Sequence, residues 1–513
     1  MMSFPVIFAG VAILLASLNY FFSLKLDPRE PPLLPQKIPL IGHLIGFLRN
    51  GNSYYLDMSM KHGQQICTLG MPNGRTYVVN STKLVSAVQR NAKTISFDPI
   101  LTTVAERLAG ITGPELEALK EEETGGGGAH RKVVHSMAPS LIGVGLDAMN
   151  KAMLRNLENF INKLESQSQE FDLWAWTRHV ISIASTDAVF GPENPYAKNN
   201  YEQTFWEYEL KITLLLVNVL PQYTARGAYQ QREFMAKQMI DYYRRGHWKQ
   251  GSEMIKARYE TGIKNGASLE SIARLDVPGG TGILSNTVPT AFWTLCNVFS
   301  SPKLLADVRS EAEKLFSVDR TGPKPVYTLD TSDLRTGCSI LFSAYQETMR
   351  TRACFASPRY VLEDTLLNGE YLLKKGALLQ IPAAVLHHEQ LQWGPDAATY
   401  DPYRFTKKSS IKRSPVAYRA FGGAPALCPG RHFATVEVLC FVIMITMRYD
   451  ITPADGTWNL PGPNYSNIAA SILPPLGDIK VNATVRKGFE NIDWKFRITE
   501  LSEEKSAFGL ASE

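Results

Sequence analysis

Residues 4–24 form a nearly unbroken apolar run, and no charged side chain precedes Lys25. As α-helix this run rises about 31 Å, enough to cross a hydrocarbon core, which predicts a membrane anchor over residues 1–25. A cleaved signal peptide is the competing reading, but its basic leading region is missing, and Lys25 and Arg29 follow the run instead. That asymmetry predicts the rest of the chain on the cytosolic side. Over residues 26–50 the pattern stops. Pro28, Pro31, Pro32, Pro35 and Pro39 cannot continue a helix and predict a stiff extended arm, a hinge between anchor and body.

From residue 51 to 503, helical spacings of three and four alternate with short strand patterns. They predict a helix near residues 53–65, a strand near 76–79, and amphipathic helices over 147–164 and 229–264. No linker divides this stretch, so we expect one large, mainly α domain with small β-sheets, followed by a polar tail over residues 504–513. A 44% hydrophobic and 20% charged composition excludes wholesale disorder. The net charge of +5 is too small for a nucleic-acid footprint. The six cysteines form no C-x-x-C pair and no zinc-finger spacing, so a reducing compartment is expected. The glycines at 125–128 lack the order of a phosphate cradle. His130 and His135 are five apart, off the spacing of a helical zinc pair.

Chemistry concentrates in residues 419–447, RAFGGAPALCPGRHFATVEVLCFVIMITM. A glycine- and proline-rich loop leads into an apolar helix too short to span a bilayer, hence buried. Cys428 stands where the two meet, and free N–H groups and the helix dipole there favour a thiolate. Such a thiolate, on a loop that Gly422 and Gly423 keep open, suits an axial iron ligand. The plainer reading is a buried structural cysteine, which Cys440 fits.

This segment resembles the haem-binding loop of the cytochrome P-450 enzymes, F-x-x-G-x-[RH]-x-C-x-G. Phe421 and Gly430 stand in place, whereas Ala424 replaces a glycine and Ala426 replaces the arginine or histidine that often binds a haem propionate. The resemblance implies a haem b cofactor with Cys428 as the axial iron ligand, whose electron donation favours O–O cleavage. Residues 345–350, YQETMR, contain the family's E-x-x-R, and residues 401–405, DPYRF, look like its P-x-R-F element. They imply a buried triad of Glu347, Arg350 and Arg404, a structural lock of the kind that costs about 3–5 kcal/mol to break.

Residues 286–293, NTVPTAFW, resemble the distal motif of the sterol 7α-hydroxylases and prostacyclin synthases. Asn286 stands where the wider family has an acid, and Thr287 keeps the alcohol. With ordered water, these two are the candidate catalytic residues for oxygen and protons. Pro289 should loosen the helix here. Arg359 resembles the strand arginine that reaches a propionate, and His130 and Arg131 lie near the place of the family's W-x-x-x-R helix. By position, residues 97–113, 205–220, 353–357 and 468–473 would line a lipophilic cavity.

The resemblance implies a haem-thiolate monooxygenase anchored by a single pass in the endoplasmic reticulum, with a cytosolic catalytic domain. Its substrate would be a lipophilic secondary metabolite such as a terpenoid, steroid, alkaloid or polyketide. Its partners would be O2, membrane lipid and NADPH–cytochrome P-450 reductase, with no nucleic acid. Two other classes stay open: a redox-neutral haem-thiolate isomerase or dehydratase, and a non-catalytic haem carrier or sensor. Arg404, Lys407, Lys408, Lys412, Arg413 and Arg419 crowd the stretch before the loop against Asp401 alone, which predicts a basic docking surface for an acidic reductase.

Overall fold

The computed structural model describes residues 24–36, 38, 41–72, 74–124, 129–164, 170–406, 411–424 and 426–498. Mainly helical with small sheets, it follows from where the apolar residues fall. Helix Gly143–Leu164 buries Met149, Met153, Leu157, Ile161 and Leu164 on one stripe, which packs against helix Leu173–Phe190. Helix Arg431–Arg448 is buried on every side from Glu437 onward and forms the centre of the core. The amphipathic stretch 229–264 is two helices rather than one, Arg226–Arg244 and Glu253–Lys264. Gly246, at φ 73°, ends the first, and Ser252 starts the second by accepting the N–H of Ile255.

The largest sheet has five strands, in the order Ile66–Met71, Gly74–Val79, Leu378–Pro382, Ala356–Val361 and Ile95–Ser96. Its register pairs Leu379 with Arg359 and so fixes that arginine on a central strand. The predicted helix and strand near residues 53–65 and 76–79 are Ser53–His62 and Gly74–Val79.

The proline stretch is not a free arm. Leu33 bridges to Thr68, the Thr68 hydroxyl donates to Pro31 O at 2.7 Å, and buried Glu30 takes Arg75 Nη1 and the Tyr77 hydroxyl at 2.6 Å each. Proline lacks an N–H but keeps its carbonyl, so Pro31 and Pro32 accept from Thr68 while the Leu34 N–H donates to Thr68 O. Past the arm, Gly42–Asn50 is helical. Of the predicted anchor, residues 1–23 lie outside the described residues, as does the tail. Among the described residues, no helix is long and apolar enough to cross a membrane.

The feature that shapes the interior is a break in the longest helical path. Helix Leu269–Leu284 stops, Ser285 and Asn286 turn, and helix Thr287–Phe299 resumes. Pro289 is the reason at hand, because it cannot return an N–H to the carbonyl of Ser285.

Candidate active site

The cysteine loop and the helix break face each other across a cavity of about 450 Å³, and Cys428, Phe421, Gly430, Asn286, Thr287 and Arg359 all lie in its wall. The Cys428 N–H donates to Phe421 O at 3.0 Å, closing a short hairpin in which Gly422 pairs with Leu427. Gly422 sits at φ 81°, a left-handed conformation that suits glycine. A Cβ on Gly430 would stand 4.0 Å from Cys428 Sγ, an ordinary contact distance, so Gly430 lies beside the sulfur. The helix begins three residues later, at Arg431. The expected thiolate is not what this setting alone produces. Burial raises the Cys428 thiol, and the Gly430 and Arg431 backbone N–H groups and the Arg431 charge only partly oppose it. Cys440 is wholly buried.

Beneath the loop, Glu347 holds both arginines. Arg350 Nε and Nη2 donate at 2.7 and 2.8 Å, and Arg404 Nε at 3.0 Å, with the Glu347 and Arg350 side chains 0% exposed. Asp396 also pairs with Arg404. His387 joins this group to the loop. Its Nε2 accepts the Arg419 N–H at 2.8 Å, so Nδ1 carries the proton and donates to Arg350 O at 2.9 Å. Burial pushes its pKa down to about 3, which keeps the ring neutral.

At the break, Thr287 donates its hydroxyl to Ile283 O at 3.1 Å. Asn286 Oδ1 is committed elsewhere, accepting the N–H groups of Ser471 at 2.6 Å and Ile472 at 3.2 Å. The same loop is held again by Asn467, which takes the Ala469 and Ala470 N–H groups on Oδ1 and donates Nδ2 to both oxygens of buried Glu209. Asn286 thus ties the helix break to residues 467–473, and its Oδ1 is not available to a proton relay.

Two buried cations share the cavity wall. Arg359 Nη1 donates to Ser357 Oγ and Pro358 O, and its guanidinium lies 5.2 Å from the Phe97 ring. Arg419 is 5% exposed, its buried Nη1 has no hydrogen-bond partner among the described residues, and burial beside Arg359 lowers it to about 10. An unsatisfied buried guanidinium aimed at a cavity calls for an anion. The carboxylates of a haem meet that demand, so the residues fit this cofactor. Arg419, read from sequence as a surface cation, is the wall residue that reasoning missed. Its backbone N–H is held by His387, thirty-two positions away, and no local pattern signals that contact. His130 and Arg131 lie on helix Ala129–Met137, but their side chains are outside the described residues; Met137 from that helix reaches the cavity.

The docking surface shrinks accordingly. Arg404 and Arg419 are buried, and Arg413 stacks on Trp393 and Phe405. Lys407 and Lys408 lie outside the described residues, and Lys412 is exposed. The cavity lining also departs from expectation. Residues 205–220 do not contribute, because Phe205 packs into the core against Tyr196 while Leu214, Val217 and Leu220 face outward. The cavity extends instead to Met254, Arg258 and Asp276.

A cysteine held on a rigid loop, opposite an alcohol at a helix break and between buried cations, defines a helical enzyme built around an anionic prosthetic group. Comparison agrees. The family described as Cytochrome P-450 matches over residues 282–480. Cytochrome P-450 monooxygenase nodJ of Hypoxylon pulicicidum is 39% identical over 486 residues, covering 93% of each chain. A cytochrome P-450 monooxygenase of Gibberella zeae is 26% identical over 97% of each chain. The 7-alpha-hydroxycholest-4-en-3-one 12-alpha-hydroxylase of Oryctolagus cuniculus is 22% identical over 88% of this chain and 93% of its own. The chain belongs to the cytochrome P-450 family. It is an oxidoreductase of the monooxygenase type, and the family's haem-iron cofactor, O2 and redox partner come with that membership.

Proposed function

We propose that this enzyme inserts one oxygen atom into a lipophilic secondary metabolite, of terpenoid, steroid, alkaloid or polyketide type, using haem b held by Cys428. The observation that carries the reading is the meeting of Cys428, Thr287 and the Arg359–Arg419 pair in one buried cavity. Arg359 and Arg419 would hold the haem carboxylates, and Phe421 and Gly430 would shape the cysteine's side. Bound there, haem supplies oxygen chemistry, with thiolate donation favouring O–O cleavage. The protein's part is to place Thr287 where its hydroxyl can pass protons, to fix the loop 467–473 through Asn286, and to keep bulk water out. Glu347, Arg350 and Arg404 brace the loop and take no part in chemistry. An apolar lining supports a lipophilic substrate.

Attachment to the endoplasmic reticulum by residues 1–25, with the body cytosolic, is part of the same proposal. Leu210, Val217, Leu220 and Tyr223 form an exposed apolar surface suited to lipid. A cytosolic body leaves the sequons at Asn80, Asn464 and Asn482 bare, so an endoglycosidase should not change its mobility. Electrons would come from NADPH–cytochrome P-450 reductase, with Lys412 at the docking face.

The decisive experiment is turnover under labelled O2. One labelled atom in the product, NADPH dependence and a far-red-shifted Soret band of the reduced CO complex are expected. Thr287→Ala should still consume NADPH while releasing peroxide in place of product. Conversion without NADPH or O2, unaffected by Thr287→Ala, would instead establish the redox-neutral isomerase.

A further inference from the structure

The cavity does not end at Thr287. It runs on between helices Glu253–Lys264 and Leu269–Leu284, past Met137 and Met254, to Arg258, Asp276 and Gly279. This far end is polar, whereas Met137, Leu141, Met149, Met254 and Ile283 give the wall apolar lining. Asp276, 3% exposed, pairs through Oδ1 with Arg258 Nε at 2.9 Å and accepts the Tyr243 hydroxyl on Oδ2 at 2.5 Å. Tyr243 is itself stacked on Tyr259, with ring planes 15° apart, and Tyr259 packs on Trp248. Asp276 thus holds the guanidinium by its Nε edge, and Tyr243 holds Asp276.

Its other edge is open. Neither Nη1 nor Nη2 has a hydrogen-bond partner among the described residues. Both lie close to Gly279, where a Cβ would stand 3.7 Å from Nη1 and 4.0 Å from Nη2. The missing side chain leaves an approach to two charged donors from inside the cavity. The Arg258 side chain is 14% exposed, so water can meet these donors in an empty sleeve, and an apolar chain that displaced the water without bringing an acceptor would leave them unmet. Asp276 already balances the Arg258 charge, so a second carboxylate would bring an unbalanced negative charge into the sleeve. A neutral oxygen brings none.

We propose that Arg258, positioned by Asp276 and Tyr243, is a substrate-recognition site for a hydroxyl or carbonyl oxygen at the end of the molecule remote from the oxidised carbon. Asp276 and Thr287 are eleven positions apart on the helical path, which corresponds to roughly 16 Å of rise. The substrate is therefore an elongated lipophilic molecule carrying an oxygen function about that far from its reacting carbon. This deepens the monooxygenase reading and rests on it, because the reacting end is taken to lie over a haem at Cys428.

The test uses the haem-loaded full chain and 1-alkylimidazoles of stepped chain length, tipped with methyl, hydroxyl or carboxylate. The imidazole anchors each probe at iron and reports binding through the Soret shift. At one matched length, the hydroxyl tip should bind about tenfold tighter than methyl, the worth of one hydrogen bond to a charged group. The carboxylate tip should gain no more than the hydroxyl. Arg258→Met should abolish the gain and leave methyl-tipped binding unchanged. Gly279→Ala keeps the ion pair, favours the helix, and should remove the gain by filling the approach, which covers the case in which Arg258→Met does not fold. No hydroxyl gain at any length, or a gain that survives both substitutions, overturns the proposal while sparing the haem reading. A methyl-tipped probe that produces no Soret shift overturns both.

Discussion

Gly423 is the space that Arg419 fills: a Cβ there would come within 2.6 Å of Nη1 and 3.0 Å of Gln89 Nε2. Gly423→Ala should therefore push the guanidinium off the cavity wall. We expect haem to leave this variant, and Arg419→Leu, at least about tenfold faster, as a lost charge-assisted hydrogen bond predicts. Haem transfer to apomyoglobin measures the rate. Glu437 supplies a different prediction. It is wholly buried with Ser185 donating to both oxygens, and burial raises its carboxyl from 4.5 to about 8. The folded chain keeps a proton that the unfolded chain releases, so this group's contribution to stability is full below pH 4.5 and is lost as pH rises toward 8. Melting curves across that window should decline more steeply for the native protein than for Glu437→Gln. An unchanged slope would mean the carboxyl is ionised when folded. The contrast between Glu347 and Arg419 shows what a sequence can reveal at this scale. Three-residue spacing puts Glu347 and Arg350 on one helical face wherever the helix lies, so the pair is readable. Arg419 is a wall residue whose backbone N–H is held by distant His387, and one-dimensional charge counting places it on the surface instead.

The loop 467–473 illustrates how elements share a fastening. Asn286 holds it from the helix break, Glu209 holds it through Asn467 from the end of helix Tyr201–Glu209, and Trp293 Nε1 donates to Leu473 O at 2.8 Å. Asn286→Ala should raise hydrogen exchange at the Ser471 and Ile472 amides, whereas Asn286→Asp keeps an acceptor and should leave them protected. Loss of coupling to product should follow exchange across the two variants. Equal exchange in both would show that the clamp does not hold the loop. Pro289 announced the break from sequence, because a missing N–H is a local fact. What Asn286 does there was not legible, since its partners lie some 185 positions later in the chain. The division of residues 226–264 into two helices was signalled by Gly246 and Gly251, but apolar residues at helical spacings on both sides of them concealed it.

At the scale of the molecule, the mainly helical class was legible from apolar periodicity alone, whereas the docking of the proline arm depends on pairing with residues 37 to 47 positions away. Glu30 is the pin. Its removal leaves Arg75 and the buried Tyr77 hydroxyl without their shared acceptor. Glu30→Ala should lower the melting temperature and open Arg29 to trypsin, while Lys25→Ala should do neither. Cleavage rates that do not differ would show the arm to be loose already. A pinned arm also governs motion. If residues 1–25 cross a bilayer as proposed, only the five residues 26–30 lead from the lipid surface to the first fixed point, roughly 17 Å at full stretch. A catalytic body on so short a leash cannot tumble. Anchored in this way, it would present one side to the membrane throughout turnover, and a reductase gliding in the same plane would meet it at a nearly constant height and search an area rather than a volume.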